Sequence, residues 1–98
     1  MKYEVTISER AEKNLDRIIK YLEENWSEKV KNNFIKKLNN EVNHLRVNPY
    51  INQASDLKNG VRQCFITEHN SMYYQVKEND VEIITIHDTR SDPKSLQL

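Results

Sequence analysis

The sequence has few of the residues that several common kinds of site require. It contains one glycine, Gly60, whereas the glycine-rich loops that bind nucleotide phosphates need several. It contains one cysteine, Cys64, so an internal disulfide and a cysteine-based metal cluster are excluded. The three histidines, His44, His69 and His87, are far apart and lack the spacing of metal ligands. We therefore expect neither a cofactor nor a bound metal.

Charge and hydropathy set further limits. The 98 residues include 15 lysines and arginines and 15 aspartates and glutamates, so the formal net charge is zero. Residues 47–98 carry five cations and seven anions, which weakens the case for RNA binding by this half of the chain. No apolar run approaches the roughly 20 residues of a membrane span, and the N-terminus lacks a signal-peptide core. These features predict a single domain over residues 1–98, cytoplasmic and without membrane contact.

The first half of the chain predicts two helices. Ser8 and Ser27 suit helix N-caps, and each precedes apolar residues that recur at helical spacing. We expect helices over residues 9–25 and about 28–46, joined by a short link and therefore antiparallel. A proline ends the second helix, and residues 49–60 then show no period and predict a surface loop.

Four segments predict β-strands: residues 2–7, 61–67, about 71–77 and 81–87. The short polar turn over residues 78–80 indicates that the last two strands form a hairpin. The order β-α-α-β-β-β predicts an α+β domain, with the helical hairpin packed on one face of a mainly antiparallel four-stranded sheet. The other face of the sheet is left partly open for a site or a partner.

Polar side chains near the end of the last strand indicate a candidate site. His87 is a candidate acid or base because an imidazole titrates near neutrality. Arg90 and Arg62 are candidates for holding phosphate through two N–H groups. These three residues would suit metal-independent RNA cleavage, in which a ribose 2′-hydroxyl attacks the neighbouring phosphate. Further candidates for binding nucleic acid or another target are Lys58, Tyr73 and Tyr74.

Each candidate also has a purely structural interpretation. His87 could cap its strand, and Arg90 could form a local ion pair. Arg62 could be a solvated charge or a contact to a partner. Tyr73 and Tyr74 are adjacent on a strand and therefore point to opposite faces, so we expect one of them in the core.

Several motifs together resemble a known family. They are the opening YEVTISERAEKNLDRIIKYLEENWS, an NP after the second helix, a strand that begins VRQ, the strand NSMYYQV and the ending VEIITIHDTRSDPKSL. Their succession over essentially the whole chain resembles the RelE/ParE superfamily of bacterial type II toxin–antitoxin modules, whose toxins are often called plasmid-stabilisation proteins. The resemblance implies a growth-inhibiting toxin neutralised by a cognate antitoxin, whose C-terminal segment wraps the toxin and folds on binding. Assembly as a homodimer or as a toxin–antitoxin hetero-oligomer is expected.

The superfamily divides by target. RelE-like toxins cleave mRNA in the ribosomal A site, and by position this chain offers Arg62, His87 and Arg90 for that role. It lacks a lysine cluster on its second strand, however, and its net charge is zero. ParE-like toxins poison DNA gyrase without that catalytic set, and the ERAEKNL stretch, the NP and the ending Arg90-Ser91-Asp92-Pro93 are similar to them. We favour ParE-like inhibition of gyrase. The alternatives are a ribosome-dependent mRNA endoribonuclease and a degenerate, non-toxic protein that only binds the antitoxin, so enzymatic activity stays open.

Overall fold

The computed structural model describes residues 2–55 and 58–89 of the chain. Its elements follow the order β-α-α-β-β-β, so the predicted order is confirmed. None of the helices within these ranges is both long enough and apolar enough to cross a membrane. The elements are β1 (Glu4–Ile7), α1 (Glu9–Asn25), α2 (Glu28–Val47), β2 (Val61–Thr67), β3 (Asn70–Lys77) and β4 (Asp80–Asp88).

The four strands form one sheet in the order β1-β4-β3-β2. The pairs β2–β3 and β3–β4 are antiparallel, whereas β1 pairs with β4 in parallel. The sheet is therefore mainly antiparallel, as expected, with one parallel edge. Helix α1 packs on β4, and α2 packs against β2 and β1. Strand β4 is thus covered by a helix and flanked by strands on both sides.

The two predicted N-caps begin the two helices. The Ser8 hydroxyl accepts a hydrogen bond from the Ala11 N–H at 3.0 Å, and the Ser27 hydroxyl accepts one from the Val30 N–H at 3.2 Å. Each bond satisfies one of the N–H groups that the first turn of a helix leaves without a partner. The Ser8 hydroxyl also donates to the Ile84 carbonyl at 2.6 Å, so this cap joins α1 to β4.

Helix α1 continues along β4 where the short strand β1 ends. The Asn14 Oδ1 accepts hydrogen bonds from the Ile86 N–H at 3.2 Å and from the Thr85 hydroxyl at 2.8 Å. Ser8 and Asn14 therefore pair with backbone groups of β4 beyond the reach of β1. Because unpaired buried backbone groups are costly, these two side chains complete the edge of the central strand.

The core lies between the helices and one face of the sheet. Apolar side chains there are almost fully buried, and each buried valine, leucine, isoleucine, phenylalanine or methionine stabilises the fold by about 1.5–3 kcal/mol relative to an exposed position. Tyr74, the largest of them, belongs to this core together with Cys64, as expected for a buried small thiol. The buried cluster consists of Ala11, Phe34, Leu38, Leu45, Cys64, Ile66, Met72, Tyr74, Val81, Ile83 and Ile86.

A β-bulge in β4 decides which way its last residues point. Tyr73 pairs with Thr85 and Tyr74 pairs with Ile83, so Ile84 is an extra residue in β4. A bulge of this kind shifts the alternation of side chains by one position. Before the bulge the odd-numbered residues of β4 face the core. After the bulge the even-numbered Ile86 faces the core instead. His87, which strict alternation from Ile83 would place in the core, lies on the opposite face.

Candidate functional site

His87 lies on the face of the sheet that the helices do not cover, called the open face here. It pairs across the strands with Ser71, and Ser71 pairs with Phe65 on β2. Ser71 is fully buried, His87 is half-buried, and the Phe65 side chain is 60% exposed. The imidazole is thus at the surface, on a rigid strand, with Ser71 between it and the exposed ring of Phe65.

The next row of the open face is formed by Gln63, Tyr73 and Thr85, which pair in that order. The Gln63 Nε2 donates to the Ser71 hydroxyl at 3.1 Å and connects the two rows. Tyr73 is 5% exposed, and its burial raises the pKa of its phenol. A buried phenol with a raised pKa keeps its proton at neutral pH, so Tyr73 supports the open face as a neutral group.

The far end of the open face is acidic. A shallow cavity of about 320 Å³ there is lined by Glu4, Asp80 and Glu82 together with Lys77, Thr6 and Gln75. The Gln75 Nε2 donates to the Glu82 carboxylate at 2.9 Å. Three carboxylates against one lysine repel phosphate at this end, and the rows around His87 carry no further cation among the described residues. The open face is therefore a poor electrostatic match for RNA.

Arg62 lies on the other side of the sheet from His87. It pairs with the core residue Tyr74, and its guanidinium reaches the segment that follows α2. Its Nη1 donates to the Asn52 carbonyl at 2.6 Å and to the Tyr50 carbonyl at 3.4 Å. The guanidinium carbon lies 5.1 Å from the centroid of the Tyr50 ring, a cation–π distance. The Tyr50 ring in turn meets Tyr3 edge-on, with centroids 6.4 Å apart.

The segment that Arg62 holds, residues 49–55, is called the strap here. It was expected to be part of a surface loop, but part of it pairs with the edge of β2. The Gln63 N–H donates to the Gln53 carbonyl, the Ser55 N–H donates to the Val61 carbonyl, and Ala54 forms a bridge with Arg62. The strap therefore covers the first half of the β2 edge.

Tyr74 anchors the strap from the core side. Its hydroxyl donates to the Pro49 carbonyl at 2.6 Å and accepts from the Asn52 Nδ2 at 3.1 Å. Burial raises the pKa of this phenol, although the hydrogen bond from Asn52 acts in the opposite direction. Tyr74 is thus a structural residue of the core, and of the two tyrosines it is the one packed beneath the helices.

The stacked guanidinium and the exposed apolar residues that flank its contacts along the chain are together called the Arg62 patch here. The patch comprises Arg62, Tyr3, Val47, Tyr50 and Ile51. The last three are between 53% and 70% exposed although they are apolar or aromatic. Arginine and tyrosine on a rigid, partly apolar surface are typical of the central residues of protein–protein interfaces. Sequence reasoning missed Val47, Tyr50 and Ile51: Val47 ends α2, and the only signal for Tyr50 and Ile51 was their adjacency in a segment without any period.

The remaining predicted site residues are placed as follows. Lys58 is exposed in the turn before β2, where its carbonyl accepts the Val61 N–H at 3.3 Å. Arg90 lies outside the described residues. His87 and Arg62 stand on opposite faces, so the structure does not bring these two together. Within residues 2–55 and 58–89, no three histidine, cysteine, aspartate or glutamate side chains form a possible metal site.

The Cys64 thiol is buried and unreactive. Its Sγ donates to the Glu41 carboxylate at 3.3 Å, and the side chain is 2% exposed. Burial, followed by the hydrogen bond to Glu41, raises the pKa of the thiol to about 12. Because the thiolate is the reactive form, this cysteine is inert at neutral pH.

Solved structures with this fold include several bacterial toxins. A chain of the chromosomal ParDE toxin–antitoxin system from P. aeruginosa has a TM-score of 0.74 and 17% identity, over 89% of this chain and 96% of that one. The YoeB dimer from Staphylococcus aureus has a TM-score of 0.59 and 20% identity, over 89% and 97%. A chain of the E. coli DinJ–YafQ toxin–antitoxin complex has a TM-score of 0.64 and 10% identity, over 90% and 93%. At these identities the likeness establishes the fold.

The family is established by a sequence model. No curated protein matches the chain significantly. The model of the ParE toxins of the type II toxin–antitoxin system parDE matches residues 5–93, nearly the whole chain. The protein is therefore a toxin of a type II toxin–antitoxin system, and the predicted membership in the RelE/ParE superfamily is confirmed. Within that superfamily the chain belongs to the ParE toxin family.

Proposed function

We propose that the chain inhibits DNA gyrase by binding to it, and that a cognate antitoxin neutralises this effect by forming a complex with the toxin. The observation that carries the proposal is the separation of Arg62 from His87 on a sheet whose open face is acidic at one end. A ribonuclease needs a cation beside its acid or base to stabilise the charge of the phosphorane. A toxin that acts by contact needs only a preformed surface.

The Arg62 patch suits such a contact. The guanidinium of Arg62 is already held by two carbonyl groups and the Tyr50 ring, so little side-chain freedom is lost when a partner binds. Ile51, next to Tyr50 in the chain, and Val47, at the end of α2, supply exposed apolar area. We assign target binding to this patch, with the exposed Lys58 as a further candidate contact. Tyr73 and Tyr74, both buried, would support the binding surfaces from within.

A ribosome-dependent endoribonuclease is the second candidate. The observation that favours it is the position of His87, which the bulge turns out of the core and onto the open face. In this case His87 and Arg90 would be catalytic residues, and Arg62 would contribute only at a distance.

One experiment separates the two candidates. The purified protein is tested for inhibition of gyrase supercoiling and, in parallel, for cleavage of mRNA in translating ribosomes. The gyrase proposal expects lost supercoiling with intact mRNA, and His87→Ala should be as inhibitory as the wild type. Cleavage of mRNA by the wild type, at a rate that His87→Ala lowers by about 10²-fold or more, would establish the ribonuclease instead. A folded protein that affects neither process, and whose expression without antitoxin is harmless, would be the degenerate antitoxin-binding form.

A further inference from the structure

Positive charge is concentrated on helix α2. This helix contains five lysines and arginines and two glutamates, whereas α1 contains four cations and five carboxylates. The difference is important because the whole chain has a formal net charge of zero. A protein without net charge can attract a polyanion only through a locally positive surface, and α2 provides one.

Exposed lysines and asparagines form one row along the outer side of α2, called the lysine ridge here. Its members are three or four residues apart, so they lie on one side of the helix, whereas Phe34 and Leu38 on another side are buried in the core. At 1.5 Å per residue the ridge is about 17 Å long. It consists of five exposed residues: Lys29, Asn33, Lys36, Lys37 and Asn40.

The three lysines of the ridge have no acidic partner. Within residues 2–55 and 58–89, neither an ion pair nor a hydrogen bond involves the ammonium groups of Lys29, Lys36 and Lys37. On α1, in contrast, Lys13 pairs with Glu9 at 3.2 Å. Because no carboxylate neutralises them, the ridge lysines keep their full attraction for a negatively charged partner.

The two glutamates of α2 do not lie on the ridge. Glu28 is the first residue of the helix, where a negative charge suits the helix dipole. The Glu41 carboxylate accepts a hydrogen bond from a buried thiol on the core side. Beyond α2, Glu68 lines the same groove as Lys37 but lies 3.3 Å from the Nε2 of His69. No carboxylate of the helix therefore offsets the charge of the ridge.

The asparagines of the ridge add hydrogen-bond donors to its charge. Asparagine is among the weaker helix formers, and exposed helical positions usually carry better ones. Helix α2 nevertheless contains five asparagines, and the side-chain amides of Asn33 and Asn40 bond to no described residue. Lysine and asparagine side chains are both common donors to the phosphate oxygens of nucleic acids. The ridge therefore combines the two kinds of group that a phosphate backbone accepts.

We propose that the lysine ridge binds the phosphate backbone of a nucleic-acid duplex without reading its sequence. A DNA duplex carries about one negative charge per 1.7 Å of its axis, so a ridge of this length faces several phosphates. Binding of single strands depends on aromatic side chains that stack on the bases, and the ridge contains none. This assignment does not rest on the proposed inhibition of gyrase, because the ridge and the Arg62 patch are different surfaces.

The ridge can be tested by fluorescence anisotropy with a labelled DNA duplex and a labelled RNA duplex of the same sequence. Binding is measured in salt from about 10 to 150 mM. The ridge variant carries Lys29→Gln, Lys36→Gln and Lys37→Gln. The control variant loses the same charge from α1 and carries Lys13→Gln, Arg17→Gln and Lys20→Gln. Circular dichroism verifies the fold of each variant.

We expect the wild type to bind duplex with an affinity that falls as salt rises. The ridge variant should bind at least about 10-fold more weakly, and its slope of log affinity against log salt should be smaller by about 3, since each phosphate contact contributes about 0.9. The control should keep the wild-type slope and stay within about threefold of the wild-type affinity. Comparison of the two duplexes shows whether the ridge accepts DNA, RNA or both.

Three outcomes would overturn the proposal. Equal losses in both variants would mean that affinity follows net charge and not the ridge. Undiminished binding by the ridge variant would place the contact elsewhere. A wild type that binds labelled polyglutamate but neither duplex would identify an acidic protein surface as the partner instead.

Discussion

The guanidinium of Arg62 stacks on the ring of Tyr50 at 5.1 Å while its Nη1 donates to the Asn52 carbonyl at 2.6 Å. A phosphate ligand would have to compete with both contacts for the same group. A protein partner can instead contact the stacked pair as it stands, together with the exposed Ile51 next to it. Arg62 therefore fixes the strap, and in the proposed contact with gyrase it would present an ordered surface.

The geometry predicts that lysine cannot replace Arg62 without a loss of stability. Lysine keeps the charge but lacks the planar group that stacks on Tyr50 and reaches two carbonyls. We expect Arg62→Lys and Arg62→Ala to lower the free energy of unfolding by about 1–3 kcal/mol, measured by urea denaturation. The control Lys36→Ala, at an exposed position of α2, should stay within about 0.5 kcal/mol of the wild type. Equal stability of all three variants would show that Arg62 does not hold the strap.

The Tyr74 hydroxyl should be essential for anchoring the strap. In Tyr74→Phe the buried Pro49 carbonyl loses its donor and the Asn52 amide loses its acceptor. We expect a loss of about 1–3 kcal/mol in the free energy of unfolding, and faster amide hydrogen exchange at Ser55 and Gln63. Tyr21→Phe, which removes an exposed hydroxyl, is the matched control and should change stability little.

The two serine caps should differ in how much they contribute to the free energy of unfolding. Ser27→Ala removes one capping bond at an exposed helix start and should cost about 1 kcal/mol. Ser8→Ala removes a capping bond and also the bond to the Ile84 carbonyl in the central strand, so it should cost about 1 kcal/mol more. Thermal unfolding of the two variants tests this difference. A larger loss in Ser27→Ala would contradict the inferred coupling of α1 to β4.

Cys64 should remain protonated and unreactive in the folded state well above neutral pH. Burial and then Glu41 raise the pKa of its thiol to about 12, against an ordinary value of 9.0. The folded state therefore keeps its proton while the unfolded thiol ionises, so stability from this group is complete below pH 9 and declines at higher pH. A disulfide reagent at pH 8 should react with the native protein far more slowly than with the unfolded protein.

The pH dependence itself can be measured against Cys64→Ala. The stability advantage of the wild type over this variant should shrink by about 1 kcal/mol between pH 8 and pH 10. A constant difference over this interval would mean that the thiol titrates alike in both states.

The fold could be predicted because local patterns and tertiary packing agree. Ser8 and Ser27 begin helices in the sequence pattern and in the structure alike, and helical spacing identified the buried Phe34 and Leu38. The parallel pairing of β1 with β4 could not be predicted, because strand order depends on contacts between distant segments. Nothing in the pattern of the last strand marks Ile84 as a bulge either.

The site was harder to predict than the fold. The bulge turns His87 to the open face, whereas Arg62 pairs with the core residue Tyr74 and lies on the other face, so the two could not be placed relative to each other from spacing alone. Tyr73 and Tyr74 do stand on opposite faces, yet both are buried, because the open face has its own packed rows, joined by the hydrogen bond from Gln63 to Ser71. The apolar residues of the Arg62 patch had no periodic pattern to reveal them.

The central claim is that the chain acts on gyrase through the Arg62 patch. Its most direct measurement is inhibition of gyrase supercoiling by the purified wild type, Ile51→Asp and the control Asn39→Asp, which adds the same charge at an exposed position of α2. We expect the wild type and Asn39→Asp to inhibit equally. Ile51→Asp, with an unchanged circular dichroism spectrum, should need about 10-fold more protein or more. Undiminished inhibition by Ile51→Asp, or gyrase unaffected by the wild type, would contradict the account.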